Sequence, residues 1–368
     1  MNPTISSEDH SARIGQRIER VREQIATNGW AGLVVLDRAD VTWLTGLESS
    51  NAAVVITPTK TVVATDFRYV AAAENLGLEV VRIEQSMWHD LGVAAGRLAA
   101  GGALGYPPTD LSHRAFLSFT DALPDDVSLR AADGVIAGLR LVKDSSEIEK
   151  IRAAALLLDG AYELVAGIGL AGRTEGEVAW AIERNLRDRG ASALSFESIV
   201  AGGLNGAFPH HTPGGDAIPD NTLVTVDIGC VVDGYCSDCT RTFAVGDPSA
   251  ELRGMYDLTL RAQEAALAAV RPGAVGRDID AIARDMITAE GHGDHFGHGL
   301  GHGVGIEVHE GPRLSRTSDD VLAAGMIVTV EPGVYVPGVG GVRIEDLVIV
   351  TAEGHQVLTH FSKELVRA

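Results

Sequence analysis

Positive charge is scarce in this chain. Its 368 residues carry 30 Lys and Arg against 50 Asp and Glu, a formal charge of −20. No basic cluster offers a stripe for a phosphate backbone, so nucleic acid is not expected as a partner. Cysteine is nearly absent. The three present, Cys230, Cys236 and Cys239, are odd in number and crowded together, which makes no disulfide framework. Long apolar runs are missing too. None is uncharged for long enough to span a bilayer. The polar stretch over residues 1–16 lacks the apolar centre of a signal peptide. A cytoplasmic chain with no membrane partner is the expectation.

Apolar residues are plentiful, at 45%. That is enough for real cores, and the length suggests about two domains. Ile14, Ile18, Val21 and Ile25 recur at helical spacing, and Asn28-Gly29 closes that helix. Buried-type strands are expected over 31–36, 53–57 and 61–64, with Pro58-Thr59-Lys60 as a turn. Helices are expected over 71–76 and 91–100. This alternation predicts a smaller α/β domain over 1–140. A boundary falls near 138–146, where Ser146-x-x-Glu149 reads as a capping box. Beyond it, helices over 146–167, 175–189 and 249–290 are segregated from strands. That predicts an α+β domain over 141–368 with a largely antiparallel sheet.

The chemistry lies in this second domain. Residues 223–243 read as a hairpin turning at Asp233-Gly234. With Val232 opposite Tyr235, Asp227 and Asp238 share a face by parity. Two carboxylates in an apolar strand context are costly unless a cation sits between them. Residues 326–350 form a second hairpin. If Pro337–Val339 is its loop, Glu331 stands opposite Glu345, where bare like charges would repel. The run from Phe296 to Arg313 has Gly at 297, 299, 301, 303 and 305, which excludes a helix. It is expected to be extended, with His298, His302 and His309 in a site that other groups approach closely. His210-His211, upstream, is uninformative by itself.

Together these pieces resemble the pita-bread metallopeptidases: methionine aminopeptidase, aminopeptidase P and prolidase. The resemblance covers about 146–368 and rests on five motifs in order. These are Val-Asp227-Ile-Gly, Ser-Asp238-Cys-Thr-Arg-Thr, Gly-His302-Gly-Val-Gly, Glu331-Pro-Gly-Val-Tyr and Val-Arg-Ile-Glu345-Asp. It implies that Asp227, Asp238, His302, Glu331 and Glu345 ligate two divalent ions. Asp227 and Glu345 would bridge, Asp238 would hold one ion, and His302 with Glu331 the other. Hard carboxylate ligation puts Mn²⁺ first, with Co²⁺ or Zn²⁺ possible. Two such ions would hold a bridging water and lower its pKa. Four carboxylates facing two dications would also be locally neutral, absorbing part of the net charge.

The Xaa-Pro branch matches best. His309 and His210 fit its two non-ligand His, and the separate N-terminal domain is shared with creatinase. Asp66-Phe67-Arg68-Tyr69 and Ser50-Asn51-Ala52 look like that domain's recurring segments. Creatinase-type relatives work without metal, and the full ligand set here argues against them. Glu331 would also shuttle a proton, while His309 and His210 would bond the carbonyl oxygen. His298, Tyr335 and Arg343 match the proline-side pocket. Arg343 reads equally as a salt bridge to a ligand carboxylate. Phe196 fits an aromatic position near substrate. Arg313 matches an Arg that prolidases use for the free carboxylate of proline.

The expected activity is hydrolysis of Xaa-Pro bonds in dipeptides or short peptides by a homodimer. A dipeptidase is slightly favoured over an aminopeptidase P acting on longer peptides. A dimetal lyase or redox enzyme is the reading from another class, and a non-catalytic binding module would typically have lost ligands. The cysteines are expected as small buried hydrophobes, with Cys236 on the carboxylate face. An oxidation-sensitive Cys236 is the lesser reading.

Overall fold

The computed structural model describes residues 7–368, so part of the polar opening stretch lies outside the described residues. The chain divides into two compact units, Met1–Arg140 and Leu141–Ala368.

The first unit is a six-stranded mixed sheet flanked by helices. Its strands are β1 (Gly32–Val35), β2 (Ala52–Ile56), β3 (Thr61–Thr65), β4 (Glu79–Arg82), β5 (Ala103–Tyr106) and β6 (Ser128–Ala131). They lie in the order β4-β3-β2-β1-β5-β6. The β1–β2 and β2–β3 pairs are antiparallel, and the others are parallel. The helices are α1 (Ser7–Asn28), α2 (Arg38–Thr45), α3 (Val70–Asn75), α4 (Met87–Ala99), α5 (His113–Thr120) and α6 (Val135–Arg140). Val34, Val55, Leu91, Leu104 and Phe119 meet in its core, which explains the near-continuous apolar strands.

The second unit opens with α7 (Ser145–Ile168) and α8 (Glu175–Asp188). The capping box sits two residues earlier than expected. The Asp144 carboxylate accepts from the Glu147 amide at 2.9 Å, and Glu147 accepts from the Asp144 amide at 2.8 Å. The sequence holds two overlapping boxes, and Asp caps as well as Ser. Strands β7 (Ala193–Leu194), β8 (Ile199–Gly202), β9 (Thr222–Ile228), β10 (Cys230–Val232), β11 (Tyr235–Cys236) and β12 (Cys239–Val245) follow. Then come α9 (Ala250–Leu267) and α10 (Gly276–Ala289). The last strands are β13 (Gly301–Gly303), β14 (Glu310–Leu314), β15 (Ile327–Val330), β16 (Gly333–Val336), β17 (Gly340–Arg343), β18 (Asp346–Val350) and β19 (His355–Val357). All their pairings are antiparallel. One core packs α7 and α8 on β8, β9 and β12; another packs α9 and α10 on β13 to β18.

Both hairpins keep the expected register. Val232 faces Tyr235, and Asp227 faces Thr240. The ladder nevertheless splits into two sheets, β12-β9-β8 and β11-β10-β7. Gly229 stands at the split, where a Cβ would lie 2.6 Å from the Phe196 ring. In the second hairpin Val336 faces Gly340, and Ile327 faces Ile349, in one continuous register. That register brings Glu331 level with Glu345, but the ladder is interrupted there. The Glu331 amide donates to Leu300 O at 2.8 Å, and the Glu345 amide to Thr240 O at 3.2 Å. The Gly–His run is less extended than expected. Only β13 and β14 pair, and 304–309 forms a turn. Glycine is required where backbones nearly touch: a Cβ on Gly303 would collide with Gly311 O.

Candidate metal centre and active site

Three carboxylates meet in one buried space beside the ladder interruptions. Asp227 at the end of β9, Asp238 in the break before β12, and Glu345 between β17 and β18 offer oxygens within 4.8 Å of one another. His302, on β13, joins them. Its Nε2 lies 3.1 Å from Glu331 Oε1 and 3.6 Å from Asp238 Oδ2. Its Nδ1 is 3.0 Å from Gly303 O, and a carbonyl only accepts. A proton therefore sits on Nδ1; burial opposes a second proton on Nε2, but Glu331 outweighs it and raises the imidazole, and loss of that Nε2 proton frees the lone pair for a cation.

The electrostatics of this space are unfavourable without cations. Burial, then the neighbouring carboxylate of Glu345, pushes Asp238 well above the usual range. Burial and then Glu331 do the same to Glu345. Asp227 is raised by burial despite Arg343, whose Nη2 lies 2.6 Å from its Oδ2. Glu331 differs. Burial would raise it, but the hydrogen bond and charge of His302 hold it down at about 2. Asp227 Oδ1 and Glu345 Oε1 are buried with no hydrogen-bond partner. Orphaned buried carboxylate oxygens are rare and costly. Hard oxygen donors with one imidazole, two of the oxygens unpartnered, fit hard divalent ions.

Around this centre lies a ring of polar contacts. Arg343 donates to Asp227, to Tyr335 Oη at 2.9 Å and to Thr240 Oγ1 at 2.9 Å. Of its two readings, the salt bridge to Asp227 is formed, and the guanidinium also donates to Tyr335. The Tyr335 hydroxyl also lies 2.9 Å from His298 Nε2. His298 Nδ1 is held by Gly299 O at 2.8 Å, so Tyr335 donates to Nε2. The His309 ring stands edge-on to His302 with centroids 4.3 Å apart. Burial and then the His302 charge keep His309 below its usual value, with lesser effects from Arg313 and His210. Those two residues are exposed, within electrostatic reach of His309. Arg313 lies directly across the β13–β14 ladder from His302.

Cys236 clusters with Ile327, Leu347 and Ile349, which share strand parity with Glu331 and Glu345, and its thiol donates to Ile306 O; Cys230 and Cys239 lie in the other core, against α7 and α8. Phe196 is half-buried at the split between the two sheets, where its ring lies over Gly229. All three cysteines are free and buried, and burial pushes Cys230 and Cys236 up to about 11.

Sequence reasoning missed Thr240 and Thr329. Thr240 donates to Glu345 Oε2 at 2.8 Å, and Thr329 to Glu331 Oε1 at 3.0 Å. The signal for Thr240 was available, since the hairpin register sets it opposite Asp227. It also missed His211, whose Nε2 lies 2.6 Å from Glu175 Oε2.

This arrangement of carboxylates at strand breaks matches a known family. The model of metallopeptidase family M24 matches residues 149–352, and that of the creatinase/prolidase N-terminal domain matches residues 17–142. The chain belongs to metallopeptidase family M24 and is a peptidase. It is 37% identical over 354 residues to the uncharacterized peptidase YqhT of Bacillus subtilis, covering 95% of this chain and 99% of that one. Among solved structures it superposes on an Xaa-Pro dipeptidase from Bacillus anthracis with a TM-score of 0.91. That pair is 37% identical, covering 96% of this chain and 100% of the other. An X-Pro aminopeptidase from Thermotoga maritima gives 0.88 at 30% identity, covering 95% and 99%. The pita-bread fold expected from the motifs is therefore the fold found.

Proposed function

We propose that this peptidase hydrolyses Xaa-Pro bonds with two divalent ions, Mn²⁺ foremost, and prefers dipeptides. The observation that carries the reading is the convergence of Asp227, Asp238 and Glu345 with two orphaned oxygens. Asp227, Asp238, His302, Glu331 and Glu345 hold the ions. When bound, the ions supply Lewis-acid activation of water and of the scissile carbonyl. Glu331, its carboxylate kept ionised by His302, accepts the proton of the attacking water and delivers it to the proline nitrogen. His309 and His210 donate to the carbonyl oxygen as it gains charge. His298 and Tyr335 wall the proline ring. With His298 Nδ1 given to Gly299 and Nε2 to Tyr335, the ring presents carbon to the substrate. That suits an imide bond with no N–H.

Arg313 is the proposed anchor for the free carboxylate of a dipeptide. Its guanidinium has no ion-pair partner among the described residues, and its place opposite His302 sets it at the rim of the centre. A homodimer is part of the proposal. The test compares release of alanine from Ala-Pro and from Ala-Pro-Ala by the Mn²⁺-loaded protein. Cleavage of the dipeptide alone, with KM raised at least about tenfold in Arg313→Ala, is the expected outcome. Cleavage of the tripeptide with Arg313→Ala unaffected would make it an aminopeptidase instead.

A further inference from the structure

The segment from Phe296 to Leu300 carries His298 yet has little stiffness of its own. Gly297 and Gly299 flank the histidine, and a Cβ on Gly297 would meet nothing within 4 Å. Glycines of this kind leave a chain free to sample many conformations. Something outside the segment must hold the imidazole where Tyr335 can reach it.

That element is on α10. Asp280 and Arg284 are one helical turn apart and form a buried bidentate pair, Nε to Oδ2 and Nη2 to Oδ1 both at 2.7 Å. Each then uses a remaining valence on the glycine-rich segment. Arg284 Nη1 donates to Phe296 O at 2.8 Å, and Nη2 to His298 O at 2.8 Å. Asp280 Oδ1 accepts from the Leu300 amide at 3.0 Å. The guanidinium carbon lies 4.1 Å from the centroid of the Phe296 ring. Three alternate residues, 296, 298 and 300, are thus pinned to one rigid fork.

We infer that Asp280 and Arg284 are positioning residues that brace His298, and that they set the proline-side pocket rather than the ions. From His298 the chain of contacts runs to Tyr335, Arg343 and Asp227. The fork is bidentate on both sides, toward the carboxylate and toward two carbonyls. A lysine can satisfy only part of it. The pair touches neither the carboxylate centre nor the substrate, so its effect passes through His298. The kinetic part of this inference rests on the Xaa-Pro reading; the bracing itself does not.

Two measurements separate these. Hydrogen exchange on the folded, Mn²⁺-loaded protein is expected to show a protected Leu300 amide and slow exchange over 296–302. In Arg284→Met and Asp280→Asn that protection is lost, while β9 and β12 are unchanged. Arg284→Lys, the variant kept for the case that Arg284→Met does not fold, shows a smaller loss. Kinetics with Ala-Pro form a double-mutant cycle with His298→Ala. Arg284→Met is expected to raise KM about tenfold in the wild-type background and less than about twofold in His298→Ala, with metal content unchanged. Unchanged exchange over 296–302 overturns the brace. An equal loss in both backgrounds overturns its action through His298. If no variant, wild type included, cleaves Ala-Pro, the exchange result still decides the brace, and the peptidase reading is what fails.

Discussion

At the scale of single residues, the centre is a conflict that the fold leaves for a ligand to resolve. Burial and then Glu345 push Asp238 up, and burial and then Glu331 push Glu345 up. A folded-state pKa above the unfolded value stabilises the fold at low pH, and that contribution is lost as pH rises through the folded value. Glu331 has the opposite sign. Held at about 2, its contribution is complete above its unfolded pKa and is lost only as pH falls toward the folded value. Above the ordinary carboxylate range the first pair decides. The metal-free protein is therefore expected to weaken as pH rises above the ordinary carboxylate range. The gain in melting temperature on adding Mn²⁺ should widen over the same rise, as scanning calorimetry can show. A gain independent of pH would contradict this. Thr240 links the carboxylates to Arg343, donating to Glu345 and accepting from the guanidinium. Thr240→Val should cost about 10–100-fold in metal affinity, read by competition with a chelating dye, because neighbours that orient ligands are worth that much. The acidic ligand positions were legible because carboxylates in apolar strands are too costly to bury without a cation. The orphaned oxygens were not, since they depend on where every other donor points.

At the scale of elements, hairpin register was the most legible feature. Two-residue and three-residue turns fix pairing, and parity then fixes faces. What parity could not show is that each ladder breaks at its carboxylates. In the second hairpin the break goes with contacts distant in sequence: the Glu331 amide donates to the Leu300 carbonyl, and the Glu345 amide to the Thr240 carbonyl. The glycines of β13 belong to this scale as well. Gly303 lies so close to Gly311 that any side chain must push β13 and β14 apart. Gly303→Ala is expected to destabilise by about 1–3 kcal/mol, measured by denaturant unfolding of the metal-free protein. It should also lower activity further than stability alone accounts for, because His302 adjoins it. A stable, fully active Gly303→Ala would show that this approach is not required.

At the scale of the whole molecule, composition and alternation were enough to separate an α/β unit from an α+β unit. The compact units found are Met1–Arg140 and Leu141–Ala368. The five ligand positions came from three separate stretches of the second unit. Local reading reached them because each stretch is a strand or hairpin with its own register. The Asp280–Arg284 fork was not reachable in this way. It reads as an ordinary intrahelical ion pair, and only tertiary packing shows that its free valences are spent on residues 296, 298 and 300. The central claim is that the buried carboxylates hold ions needed for Xaa-Pro cleavage. The direct test is to strip the protein of metal and titrate Mn²⁺ back while following hydrolysis of Ala-Pro. Activity should be absent at the start, rise to its full value by two equivalents and fail to return in Asp238→Ala. Full activity in the stripped protein, or in Asp238→Ala, would contradict it.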